Sequence, residues 1–178
     1  MGGWCRGKTV VAAVAAGFLC TVVSARGAVA AEDPSPKFIE AVVVVDNSLF
    51  QMKGSTSASF AASVIDGVDA IYQSNLDIGV HVVQTIVNDT ADPWTTTPNP
   101  GNPSEVLSDD LLASVRAWGA DNLGTSHDVV ILLSGLDFDG TTIGLGFVGS
   151  MCGNPITANI NQASATGPGA FDKIVRTV

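Results

Sequence analysis

The 178-residue chain is short of basic side chains, histidine and cysteine, and each shortage narrows what it can do. Lys and Arg number eight against 17 Asp and Glu. Beyond Ala31 the contrast sharpens: all 17 acidic side chains face five basic ones (Lys37, Lys53, Arg116, Lys173 and Arg176), a net charge of −12. That balance argues against nucleic acid, whose phosphates need clustered Lys and Arg, and against anionic lipid. It suits an extracellular protein and the retention of a cation such as calcium. The two histidines, His81 and His127, lie far apart, in or beside strand-like segments, and lack the spacing of ligands on one helix. After the first thirty residues no apolar run is long enough to cross a bilayer.

Those first residues have their own pattern. Arg6 and Lys8 form a basic start, "TVVAAVAAGFLCTVV" (Thr9 to Val23) is uncharged and apolar, and "AVAAED" offers small residues for cleavage after Ala30 or Ala31. This layout predicts a secretory signal peptide over 1–31 and a mature domain over 32–178. The run is short for a membrane anchor. Cys5 and Cys20 fall inside that leader, so Cys152 stands alone in the mature part. A single cysteine in a secreted chain implies an intermolecular partner, a free thiol, or a partner missing from this sequence. Asn88-Asp89-Thr90 is a sequon for N-glycosylation in a polar loop, a match that is used or idle.

Along the mature part, strands and helices alternate. "KFIEAVVVVD" (Lys37 to Asp46) is rich in β-branched residues and predicts a buried strand. Phe60, Val64, Val68 and Ile71 recur at helical spacing within residues 55–75. "DIGVHVVQTIV" (Asp77 to Val87) predicts a second strand, and the proline- and glycine-bearing residues 88–103 a surface loop. A second helix is expected from Ser104, and "DVVILLS" (Asp128 to Ser134) is a third strand. "TIGLGFVG" (Thr142 to Gly149) is a weaker fourth strand, residues 153–169 a long loop, and "AFDKIVRTV" a final helix. The expected fold is α/β: a mainly parallel, twisted sheet of about four strands with packed helices. The turn before the fourth strand is too short for a parallel crossover, so that strand should be antiparallel and at an edge. Gly144, Gly146 and Gly149 then have two readings: an edge kept clear for an incoming peptide strand, or a bulged edge with no ligand.

Several segments together resemble the reprolysin (adamalysin, ADAM-type) family of metzincin zinc endopeptidases. "KFIEAVVVVDNSLF" is similar to that family's first strand, and "VIDGVDAIYQSNLDIGVHVV" to its first helix and second strand. "SHDVVILLSGLDFDGTTIGLGFVGSMCG" resembles its third and edge strands, including the Gly-x-Ala/Gly-x-Val-Gly-x-Met-Cys ending. The resemblance runs in order from about Lys37 to Val178. It implies the N-terminal subdomain of a secreted metalloendopeptidase, hydrolysing peptide bonds in extracellular proteins by zinc-activated water. It also implies that Glu40 and Asp128 help bind a structural calcium, as hard carboxylates at neighbouring strand ends suit that ion. Ile143, Gly144, Leu145, Gly146 and Phe147 correspond to the edge strand that holds substrate through main-chain hydrogen bonds. Cys152 corresponds to a cysteine whose partner follows the zinc motif.

The sequence departs from the family in two places. The family's helix reads His-Glu-x-x-His-x-x-Gly-x-x-His, placing two histidines on one helix face, a third after a glycine turn, and a glutamate beside the metal-bound water. No such segment occurs here. "FDKIVRTV" resembles the first turns of that helix, so the expectation is a catalytic domain incomplete at its C-terminus, its zinc ligands and the Cys152 partner lying beyond Val178, and a chain inert by itself. The family's long propeptide is also missing between leader and first strand. Two other classes compete. One is a von Willebrand A-like metal-dependent binding module, suggested by Asp46, Asn47 and Ser48, although Phe50 stands where a second serine belongs. The other is a secreted, non-catalytic decoy that binds peptides along the edge strand.

Overall fold

A computed structural model describes residues 37–123, 127–149, 157–164 and 170–178. The first strand, β1 (Lys37–Val45), runs into buried ground: Ala41 to Val45 are at most 1% exposed. A run of β-branched residues covered on both faces is the signature of a central parallel strand. After it come a short helix, α1 (Asn47–Lys53), a 3-10 turn (Gly54–Thr56) and the long helix α2 (Ser57–Leu76). Ala61, Val64, Ile65 and Val68 form the buried stripe of α2. Of the four residues expected there, Val64 and Val68 are buried, Phe60 packs half-buried against the core and Ile71 is 39% exposed. Asp77 ends that helix in the left-handed conformation (φ 54°), its N–H closing on Gln73 O at 3.2 Å.

Next come β2 (Ile78–Val87), a small hairpin of β3 (Pro98–Asn99) and β4 (Asn102–Val106), α3 (Ser108–Asn122), β5 (Val129–Ser134), β6 (Gly144–Gly146), β7 (Ala158–Gln162) and α4 (Ala170–Thr177). The main sheet has the order β2-β1-β5-β7-β6, parallel except for β6. Side chains alternate across it. Ala41, Val43, Val45, Val129, Ile131 and Leu133 pack under α2 and α4. Val42, Val44, Val130, Leu132, Ala158 and Ile160 pack under α3. Each fully buried valine or leucine contributes about 1.5–3 kcal/mol, so the two faces together anchor the sheet.

The mainly parallel sheet with its antiparallel edge matches the sequence reading, with three differences. The sheet has five strands rather than about four, because β7 lies inside the segment expected to be a loop. β7 takes the place beside β5, so the edge strand pairs with β7. The second helix starts at Ser108, and the residues before it form the β3–β4 hairpin, because Asn102 and Glu105 are spent on turn hydrogen bonds. No helix among the described residues is long and apolar enough to cross a membrane.

Candidate functional site

The edge strand β6 is held on one side only. Gly144, Leu145 and Gly146 pair with Asn161, Ile160 and Asn159 of β7. Ile143 O accepts from Gln162 N at 2.9 Å, and Phe147 N donates to Ala158 O at 3.4 Å. Main-chain groups alternate in direction along an antiparallel strand. Since residues 143, 145 and 147 point at β7, the N–H and C=O groups of Gly144 and Gly146 point outward, without partners among the described residues. The side chains divide the other way. Leu145 and Phe147 are half-buried against the α3 face, with the Arg116 guanidinium 4.6 Å from the Phe147 ring centre. Ile143 is 54% exposed and Val148 fully so. The strand thus offers up to four main-chain hydrogen bonds, flanked by two exposed apolar side chains.

The glycines also answer to packing. A Cβ on Gly144 would sit 3.2 Å from Asn161 Oδ1, 3.2 Å from Thr177 Cβ and 3.3 Å from Thr177 O. A Cβ on Gly146 would sit 3.1 Å from the Asn159 Cβ. Glycine at 144 therefore lets the end of α4 come directly under the edge strand. Gly149 has φ 69°, a left-handed conformation that favours glycine for a different reason.

Glu40, within β1, meets Asp128, just before β5. Asp128 Oδ2 accepts from Glu40 N at 2.9 Å, and Asp128 N donates to Glu40 O at 2.7 Å. The family resemblance implied that these two residues come together; the parallel register of β1 and β5 makes the contact. His81 lies opposite Glu40 on the other neighbour, β2. Among the described residues no group of three or more His, Cys, Asp or Glu is arranged to hold a metal ion.

Asp46, the residue behind the von Willebrand A reading, is fully buried and spent on protein donors. Its Oδ1 accepts from Leu49 N (2.7 Å), Ser48 Oγ (3.0 Å) and Gly135 N (3.0 Å), and its Oδ2 from Ser134 Oγ. It caps α1 and ties that helix to the end of β5. A Cβ on Gly135 would meet Leu49 N at 2.6 Å and Ser48 C at 2.7 Å, so α1 sits directly on the backbone there. The ends of β1 and β5 form the crevice where open α/β sheets usually take a ligand. Here α1 and Asp46 fill it.

The acidic turn after β5 is likewise engaged. Asp139 Oδ1 accepts from Ser108 N at 2.7 Å and so caps α3 from another loop, which holds its carboxyl below the ordinary range. Glu105 accepts from Gly140 N, Asn99 and Asn102 and is lowered for the same reason. In the sequon, Asn88 Nδ2 donates to Asp92 Oδ1 at 3.1 Å, and Asn88 O accepts from Asn47 Nδ2. Asp92 also accepts from Asn47 N at 2.8 Å; burial pushes its carboxyl up. Asn88 is therefore part of a hydrogen-bonded corner as well as a sequon. Cys152 lies outside the described residues. Sequence reasoning missed Asp92, Glu105 and Asp139, since loop carboxylates bonded to distant backbone leave no periodic signal.

Comparison with known proteins matches this geometry to one family. The family model "Reprolysin (M12B) family zinc metalloprotease" matches residues 37–176. Snake venom metalloproteinase Ac1 from Deinagkistrodon acutus is 28% identical over 130 residues, covering 71% of this chain and 60% of that protein. Disintegrin and metalloproteinase domain-containing protein 11 from Homo sapiens is 28% identical over 131 residues, covering 71% of this chain and 16% of its own length. This chain thus spans only part of each relative. Among solved structures, archaemetzincin from Methanopyrus kandleri superposes with a TM-score of 0.50 at 12% identity, over 78% of this chain and 68% of that one, a likeness of fold alone. The ordered strands, the glycine-bearing antiparallel edge and the family match over nearly all the described residues lead to one assignment: the chain belongs to the reprolysin (M12B) family of zinc metalloproteases.

Proposed function

We propose that this chain supplies the substrate-binding strand of a secreted zinc-dependent metalloendopeptidase that acts on extracellular proteins and peptides. The observation that carries the reading is the outward main-chain edge of Gly144 and Gly146 in a chain of this family. An extended peptide laid along β6 meets those N–H and C=O groups, each hydrogen bond contributing about 0.5–1.5 kcal/mol net. Main-chain pairing of this kind tolerates many sequences, as a protease acting on varied substrates requires. Ile143 and Val148 supply apolar contacts at either end, while Leu145 and Phe147 hold the strand against α3.

Zinc does not fit the described residues. His81 and His127 flank β1 on opposite sides, on β2 and before β5, and among the described residues no group of three or more His, Cys, Asp or Glu is arranged to hold a metal ion. The chain by itself is accordingly proposed to be inert. Glu40 and Asp128 are proposed to contribute to a structural calcium, for which Asp128 Oδ1 and the Glu40 carboxylate are available; calcium takes six to eight oxygens, so these two form part of its shell. The leader over 1–31 is proposed to direct secretion, and the Asn88 sequon and a disulfide at Cys152 belong to the same reading.

Hydrogen–deuterium exchange of the full chain, with and without an uncharged alanine–leucine peptide, tests the substrate strand. The expected result is slowed exchange at Gly144 and Gly146. Binding that leaves both amides unprotected would overturn the assignment.

A further inference from the structure

The opposite edge of the sheet carries a second strand unpaired among the described residues, β2, and it borders a cavity. In β2, parallel pairing with β1 turns residues 79 and 81 inward before the bulge and 84 and 86 after it. The main-chain groups of Val80, Val82 and Thr85 therefore face outward. The Val80 N–H is taken by Asp69 Oδ1 of α2 at 2.7 Å. Those of Val82 and Thr85 have no partner among the described residues. Beside them, between α2 and β2, lies a cavity of about 350 Å³, within the usual size range of ligand sites. Ala61, Ala62 and Ile65 of α2 and Val80 and Val82 of β2 give it apolar walls, and the two alanines leave room.

Its rim is acidic. Asp66 and Asp69 are the charged residues of α2, both line the cavity, and Asp66 is exposed. The lining contains no Lys or Arg. Long edge strands are usually guarded by Lys or Pro. β2 has neither; a bulge at Val83 and the Asp69 contact are what interrupt it.

We propose that this groove takes an extended peptide segment carrying Lys or Arg, added as a further strand beside β2. Main-chain groups of Val82 and Thr85 pair with the peptide, an apolar residue enters between α2 and β2, and a cationic side chain meets Asp66. Charge complementarity selects the occupant. A second copy of this chain would bring another pair of aspartates to the same rim, and like charges there oppose self-pairing. The groove lies roughly 19 Å across the sheet from β6, four strand spacings away. It is separate from the proposed substrate strand and does not rest on it.

The test is an amide-resolved titration of the full chain with acetyl-Lys-Val-Lys-Val-Lys-amide, alongside acetyl-Glu-Val-Glu-Val-Glu-amide. The basic peptide is expected to shift and protect the Val82 and Thr85 amides, to leave Gly144 and Gly146 unprotected, and to weaken with salt. Thr85→Pro removes an outward donor at an edge and should abolish binding. Asp66→Lys, at an exposed helical position, should weaken it at least tenfold, and keeps the test decisive should Thr85→Pro unfold. Equal binding of both peptides would overturn the proposal. So would unchanged affinity in Asp66→Lys, protection confined to Gly144 and Gly146, or a dimer that the basic peptide fails to dissolve.

Discussion

At the scale of single residues, buried carboxylates in this protein are held by donors rather than by opposite charges. Asp46 accepts four hydrogen bonds at the junction of β1, α1 and β5 and so makes a polar corner inside an apolar sheet. Asp92 is less well served. Burial raises its carboxyl above the ordinary 3.8, and the Asp46 charge adds to the effect. A carboxyl raised in the folded state weakens folding above its folded pKa, and the penalty fades as pH falls below it. Glu105 and Asp139 have the opposite sign: lowered from 4.5 and 3.8, they stabilise the fold above those values, and the contribution is lost as pH falls through their folded pKa values. Asp92→Asn keeps an oxygen for Asn47 N and Asn88 Nδ2 while removing the charge. Urea unfolding should show a gain of about 0.5 kcal/mol at pH 7, small because the group is half exposed. The gain should vanish near pH 3, where both forms are neutral.

At the scale of elements, the strand that sequence periodicity overlooked is the one that sets the edge. "ANINQ" carries Asn at two alternate positions and reads as a loop. Yet Asn161 is fully buried, its Nδ2 donating to Leu132 O at 3.2 Å and to Asn159 Oδ1 at 2.9 Å. A side chain–backbone bond to the neighbouring strand makes a polar residue acceptable in a sheet interior, and no local pattern announces it. β1 and β5 were legible because their unbroken apolar runs match their burial, and α2 because Val64 and Val68 fall on its buried stripe. β2 was legible from its β-branched composition, although much of it is exposed. The hairpin before α3 was not, because its stability comes from Glu105 reaching Asn99, Asn102 and Gly140. The contact between β6 and α4 yields a prediction. Gly144→Ala places a methyl against Asn161 and Thr177, at distances the neighbours can accept only by moving. It should cost about 1–3 kcal/mol by overpacking, measured as a lowered urea midpoint with unchanged m-value. Ala at Gly140, where nothing lies within 4 Å but φ is 65°, gives the contrasting case of strain without a clash.

At the scale of the whole molecule, one sheet presents two edges, unpaired among the described residues and of different character. The β6 edge is short and glycine-bearing; the β2 edge is long, β-branched and backed by an acidic groove. The excess of acidic residues beyond Ala31 attracts basic groups at long range and adds repulsion between like-charged copies. The proposed leader gives a direct measurement: intact mass of the chain expressed through a eukaryotic secretory pathway should show an N-terminus at Ala31 or Glu32, and retention of residues 1–30 would contradict the leader reading. The sequence by itself determined the strand–helix alternation and the parallel sheet with an antiparallel edge, because apolar periodicity and turn signals are local properties of the chain; the family was legible through the ordered resemblance of several segments to known members. Only the tertiary structure decided that the Asp128 side chain bonds the Glu40 backbone, that Asp46 closes the crevice between β1 and β5, and that β7 separates β5 from the edge. Those outcomes depend on register and on hydrogen bonds between residues tens of positions apart, which no local pattern encodes.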